Sequence, residues 1–195
     1  MQTMRRDLSK GEANRLKIVQ AADDLFYRQG YNVTSFTDIA EAAAVPRGNF
    51  YYYFKTKDEI LAGVVDQRLE WLRALLAQWQ ETIAAPRDRL LAFADLLVAN
   101  EENVLQYGCP LGSLNAELSK TRDDLRSKTV ELLDTVVRWM VPQIEALGHD
   151  EQAAHELALQ LLARTQGAIL IAQVYRHRDF LHAEVARIKQ WILEL

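Results

Sequence analysis

Between residues 34 and 57 the chain collects side chains suited to gripping an anionic polymer and reading the bases on it. Arg47 and Asn49 can each offer a pair of hydrogen-bonding groups, the arrangement that matches guanine and adenine edges in a major groove. Gly48, between them, removes a side chain where a backbone would approach a duplex. Tyr51 and Tyr52 carry hydroxyls that reach phosphate oxygens and rings that meet sugars or thymine methyls. Thr34, Ser35 and Thr37 can donate to phosphate on one flank, and Lys55 and Lys57 on the other. This is the chemistry of recognition. No phosphate-cradling glycine loop, zinc spacing or nucleophile elbow is visible, and His149, His155, His177 and His182 make no metal set. No catalytic residue, metal or cofactor is expected.

Such side chains need a short helix held firmly from behind. The spacing predicts a first helix over about Lys10 to Gln29, with Ile18, Ala21, Ala22, Leu25 and Phe26 on one face, closed by Gly30. Ser35 and Asp38 form a capping box for a second helix over about Phe36 to Ala43. Pro46 suits the first turn of a third, over about Pro46 to Tyr53. On it Phe50, Tyr53 and Phe54 should face inward, leaving Arg47, Gly48, Asn49, Tyr51 and Tyr52 outside. Thr56 and Glu59 cap a fourth helix from Lys57 to about Ala84, which would place Lys57 at its positive end.

Composition agrees with this division of labour. The 195 residues are 49% hydrophobic, with only 4 prolines and 8 glycines, so long unbroken helices are expected. The net charge of −4 does not by itself suggest a nucleic-acid partner. Its distribution does: residues 1–57 hold nine Lys/Arg against six Asp/Glu, while the remainder holds fourteen against twenty-one. A single cysteine excludes an intrachain disulfide and suits a reducing cytoplasm. The stretch from Leu157 to Tyr175 is interrupted by Gln160, Arg164, Gln166 and Gln173 and is too polar for a membrane span, so no membrane partner is expected.

Gly30-Tyr31, Thr34-Ser35, Asp38-Ile39-Ala40, Ala43, Gly48 through Phe54 and Lys57 through Leu61 resemble, in order and spacing, the DNA-binding domain of TetR-family regulators. The resemblance covers about residues 12 to 65. Two departures stand out: Ala44 where the turn usually has glycine, and Pro46 where it usually has serine or threonine. The resemblance implies an all-α fold with an N-terminal three-helix helix-turn-helix domain (residues 1–57, motif about 35–54). A C-terminal helical bundle (58–195) would bind a small effector and form a homodimer. It implies a bacterial repressor that binds a palindromic operator and leaves it when the effector arrives. A two-fold dimer would place two reading helices in successive major grooves.

The C-terminal segment is less specific. Helices are expected over about Arg87–Gln106, from Ser113, over Arg122–Leu147, Glu151–Tyr175 and Phe180–Leu193, with Gly108 to Gly112 forming a turn. Leu161, Thr165, Ala168, Ile169 and Ala172, with Ile188 and Trp191 on the last helix, are the candidate dimer interface. Trp71, Trp79, Phe93, Tyr107, Trp139 and Tyr175 are candidates to line an effector pocket with Cys109. Gly108-Cys-Pro-Leu-Gly-Ser-Leu114 resembles a run in a subset of these regulators, some of which use a cysteine here to sense oxidants or electrophiles. The alternatives are thus a thiol sensor acting through Cys109, a helical adaptor that binds protein, and a small enzyme built around the thiol. The last would need a base beside Cys109, and none stands at local spacing. Salt-dependent DNA affinity separates regulator from adaptor.

Overall fold

The computed structural model describes residues 9–118 and 123–195, with the side chains at 47, 48, 123 and 124 outside that description. The described residues are helical, without a strand, and divide into two units, Met1–Gln67 and Arg68–Leu195. The division falls inside a helix, after Gln67, and not at residue 57. The reason is visible in the packing of the first unit: Ile60, Leu61 and Val64 are fully buried, and Gly63 lies against Val19 and the ring of Phe54.

The first unit contains α1 (Lys10–Gln29), α2 (Phe36–Ala42), α3 (Arg47–Tyr53) and the start of α4 (Lys57–Thr82). The openings of α1 and α2 are fixed by side chains. Ser9 and Glu12 form a reciprocal box at α1, and Ser35 and Asp38 do so at α2. Both carboxyls sit below their ordinary values. For Glu12 the Ser9 side chain is the larger cause and its backbone N–H the next; for Asp38 the order is backbone, then side chain, of Ser35. Gly30 ends α1 at φ 97°, in the region that favours glycine. The core of the unit is Ile18, Ala22, Phe26, Ile39, Phe50 and Phe54.

The turn from α2 to α3 shows how α3 is oriented. The Val45 N–H donates to the carbonyl of Ala40 and the Ala44 N–H to that of Glu41. This is a Schellman closure, with Ala44 in the left-handed position at φ 52°. Val45 is buried beneath it. A methyl group in that conformation costs about 1–2 kcal/mol.

The second unit holds the remainder of α4, with α5 (Pro86–Ala99), α6 (Glu101–Tyr107), α7 (Gly112–Leu118), α8 (Asp123–Glu145), α9 (Glu151–Tyr175) and α10 (Arg178–Glu194). Helix α9 packs on α8, α10 and α6, while α5 packs on α10 and α8. Leu90, Val136, Met140, Ala158, Leu161 and Ile192 form the centre of the core. One expected helix, 87–106, is two. Asn100 leaves helical geometry at φ −131°, and its carbonyl accepts from Val104 N–H to start α6, with Glu101 and Glu102 in the first turn. The expected start of α8 at Arg122 lies outside the described residues. α9 is the one described helix whose length and mean hydropathy of 1.3 would suffice to cross a membrane. Its Ala154, Ala158, Leu161, Thr165 and Ala172 pack into the core of this unit instead.

Ala44→Gly removes the left-handed strain, while the added freedom of glycine in the unfolded chain offsets about 0.4–1 kcal/mol. The variant is expected to be more stable by about 0.5–1 kcal/mol in urea denaturation. A loss of stability would show that the methyl group is relaxed where it stands.

Candidate nucleic-acid interface and ligand cavity

The outer face of α3 is built on rings. Tyr51 is 58% exposed and stacks on Phe36 at 5.5 Å between centroids. Phe36 in turn meets buried Phe50 edge-on at 5.0 Å. Tyr52, 80% exposed, leans edge-on against Tyr53 at 5.4 Å. Tyr53 is half-buried, not enclosed as expected, because its hydroxyl accepts from Asn14 Nδ2 at 3.0 Å. Arg15 donates to the Tyr53 carbonyl at 3.2 Å and lies 4.2 Å over the Phe54 ring. Two exposed tyrosines are thus oriented by the core beneath them, which removes rotamer freedom before any partner binds.

Asn49, Ser35, Thr37 and Lys55 are exposed around these rings. The Lys55 ammonium donates to the carbonyl of Tyr51 at the end of α3, and its backbone N–H donates to Glu59 at 2.7 Å. The surroundings of Arg47 and Gly48, expected to read a base and to admit the duplex, lie outside the described residues.

Two expected phosphate donors have other work. Thr34 is 1% exposed; its hydroxyl donates to the Gly30 carbonyl at 2.6 Å and accepts from Gln29 Nε2 at 3.2 Å. Lys57 donates to the carbonyls of Tyr31 at 2.8 Å, Thr34 at 2.9 Å and Asn32 at 3.4 Å, and its ammonium sits 4.2 Å over the Tyr31 ring. An ammonium has three N–H groups, so Lys57 is a clasp on the loop between α1 and α2 and not a free phosphate ligand. The Tyr31 hydroxyl, donating to Asp58, closes the same clasp from the other side.

The second unit contains a cavity of about 310 Å³. Trp71, Phe93 and Cys109, three of the candidates for an effector pocket, are among its lining residues. The other aromatic candidates do not. Trp79 and Trp139 pack against each other at 5.7 Å, with Trp139 6.5 Å from Phe93, within the core. Tyr107 is half-buried away from the lining, and Tyr175 is 72% exposed at the end of α9.

Cys109, Pro110 and Leu111 form one wall, and the turn that carries them is tied to two helices. Cys109 Sγ accepts from Gly112 N–H at 3.3 Å and from Gln166 Nε2 at 3.4 Å. The two flanking glycines make room for α9: a Cβ on Gly112 would stand 2.4 Å from Gln166 Oε1, and one on Gly108 2.6 Å from Gln173 Oε1. Arg68, buried on α4, donates to the Pro110 carbonyl. Arg176, left-handed at φ 51°, donates to the Leu105 carbonyl at 2.8 Å. Asn100, Thr165 and Gln166 complete the polar lining. A glutamine twice interrupting an apolar helix, facing a Gly-x-x-x-Gly turn, was the available sequence signal for this wall.

The candidate interface residues need correction. Leu161, Thr165, Ala168, Ile169, Ala172 and Ile188 are all buried within their own chain, and Trp191 packs on the core beneath Arg164. The exposed apolar face of α9 is a neighbouring one: Leu159, Leu170, Ile171, Val174 and Tyr175.

A capped three-helix unit that presents Asn49, Tyr51 and Tyr52 on its last short helix is that of a helix-turn-helix DNA-binding regulator. Residues 18–64 match the family model for bacterial regulatory proteins of the tetR family, and residues 83–187 match the LmrA/YxaF-like transcriptional regulator C-terminal domain. The chain belongs to the TetR family of transcriptional regulators. It is 29% identical over 180 residues to an uncharacterized HTH-type regulator from the lacX 3′ region of Lactococcus lactis subsp. lactis, spanning 89% of this chain and 90% of that one. It is 28% identical over 173 residues to the HTH-type transcriptional repressor DhaR of Mycobacterium sp. (strain GP1), spanning 85% of each. The structure of a TetR-family regulator from Cytophaga hutchinsonii shares the fold, with a TM-score of 0.83 at 22% identity over 97% of this chain and 98% of that one.

The two lysines should separate in experiment. On a duplex selected from random DNA, Lys55→Ala is expected to reduce the slope of log affinity against log salt by about 1 with stability unchanged. Lys57→Ala is expected to lower the stability of the fold by about 1–2 kcal/mol, because the partly buried carbonyls of Tyr31 and Thr34 lose a charged donor. If Lys57→Ala changes only the salt slope, the clasp is not its role.

Proposed function

We propose that this regulator is a repressor that binds a palindromic operator as a homodimer and releases it when a small molecule enters the cavity of the C-terminal unit. The observation that carries the reading is the exposed, pre-oriented face of α3. Tyr51 and Tyr52 position the helix against sugar and phosphate while Arg47 and Asn49 read base edges. Ser35, Thr37 and Lys55 hold the flanks. Binding of this kind places the protein where the DNA is, in the cytoplasm.

One short helix reads few base pairs, so two copies are required for useful specificity. The face of α9 that bears Leu170, Ile171 and Val174 supplies the contact. Gly167 lies on it, exposed, and a Cβ there would meet nothing within 4 Å. A mid-helix glycine costs about 0.5–1 kcal/mol relative to alanine, and the chain's own packing does not require it. Close approach of a second α9 does.

The cavity is mostly apolar and of the size that small ligands occupy. Helix α4 runs through the division between the units and is the element we assign to carry the signal. Coupling of about 1–3 kcal/mol would change operator affinity several-fold to about a hundred-fold.

Gly167→Leu is expected to shift the protein to monomer in sedimentation and to weaken operator binding by at least about 10-fold, with helicity retained. A Gly167→Leu variant that stays dimeric would move the interface elsewhere. A salt slope near zero for the wild type would remove DNA from the proposal altogether.

A second reading gives Cys109 the sensing role. It is half-buried at the cavity wall, and two N–H groups point at its sulfur. Oxidation to the sulfenic acid would enlarge the group and disturb both contacts with it. On this reading Cys109→Ser abolishes peroxide-driven release of operator; an unchanged response excludes it.

A further inference from the structure

The walls of the cavity restrict what can enter, given the reading above that it is the effector site. We propose that the effector is an uncharged, mainly apolar molecule of about two fused rings that accepts a hydrogen bond, and that its ionised analogues are excluded. Among the described residues, no Asp, Glu, Lys, Arg or His lines the cavity. Arg68 donates to the carbonyl of Pro110 and is not among the lining residues. An ionised carboxylate or ammonium would therefore shed water without gaining a counter-charge.

The few polar groups favour one kind of handle. Asn100 Oδ1 accepts from Asn103 Nδ2 at 2.8 Å, which turns the Asn100 amide N–H groups to other acceptors. Gln166 Nε2 holds only the Cys109 sulfur, a weak acceptor, at 3.4 Å. Thr165 already donates to the Leu162 carbonyl at 2.8 Å. Gln166 Nε2 is thus a donor held only by a weak acceptor, and a carbonyl or ether oxygen on the ligand would displace the sulfur from it. The cavity's 310 Å³ is near the lower end for ligand sites, which fits a two-ring body between Trp71 and Phe93.

The test uses three probes of one shape on the full-length protein: naphthylacetamide, naphthylacetate and methylnaphthalene, titrated calorimetrically at neutral pH. The amide is expected to bind roughly 100-fold more tightly than the acetate and about 10-fold more tightly than methylnaphthalene. Leu133→Lys, at a half-buried position in the lining, should reverse the preference toward the acetate. Leu96→Trp, which adds bulk at a half-buried lining position, should abolish binding of the amide. Equal binding of acetate and amide to the wild type overturns the charge rule and leaves the cavity as the effector site. Equal binding of amide and methylnaphthalene overturns the hydrogen-bonding handle. No binding by any probe, or amide binding that persists in Leu96→Trp, overturns the cavity reading itself.

Discussion

The ammonium of Lys57 is one charge shared among three carbonyls and an aromatic ring, and the placement of α3 follows from it. Those carbonyls belong to the loop between α1 and α2, whose backbone polar groups must be satisfied outside a regular helix. Tying them to the first turn of α4 fixes where α2 begins. The capping box of Ser35 and Asp38 then sets the axis of α2. The Schellman turn at Ala44 sets α3 against it. Tyr51 finally inherits its position through Phe36 and Phe50. Every step is a short-range satisfaction of polar groups or rings, and the chain of them ends at the exposed outer face of α3.

The first unit was legible because its signals are local. Capping residues, Gly30 and the 3.6-residue period of Ile39, Phe50 and Phe54 act within a few positions, so spacing alone locates the elements. Exposure of Tyr51 and Tyr52 followed from the same period. The errors came where a side chain turns back on its own backbone. Thr34 and Lys57 have the types and positions of phosphate ligands, and only three-dimensional proximity to Gly30, Tyr31 and Asn32 shows their hydrogen atoms already engaged. Tyr53 similarly looks internal by period and escapes because Asn14, 39 positions away, offers its hydroxyl a partner.

The second unit resisted for a different reason. α9 carries apolar residues on more than one face, so periodicity cannot say which face meets the chain's own core. Leu161 and Ile169 went inward, and Leu170 and Ile171 stayed out. The break at Asn100 was readable, since an asparagine before two glutamates is a helix start, but the apolar run on both sides concealed it. Trp79 and Trp139 show that aromatic content does not locate a cavity; they pair with each other, while the cavity wall depends on two glycines and the glutamines set against them.

Helix α9 has two kinds of neighbour. Through Gln166 and Gln173 it holds the cavity wall, and through Gly167, Leu170 and Val174 it faces outward, the two sets alternating within about two turns. A helix is too stiff to move one of these sets without the other. In a two-fold assembly built on that face, filling one cavity would alter the seat of its twin. The dose response would then follow a steeper curve than independent sites allow, or a shallower one where the second site is made worse. A single helix would thus set both the threshold and the sharpness with which the gene it controls is switched.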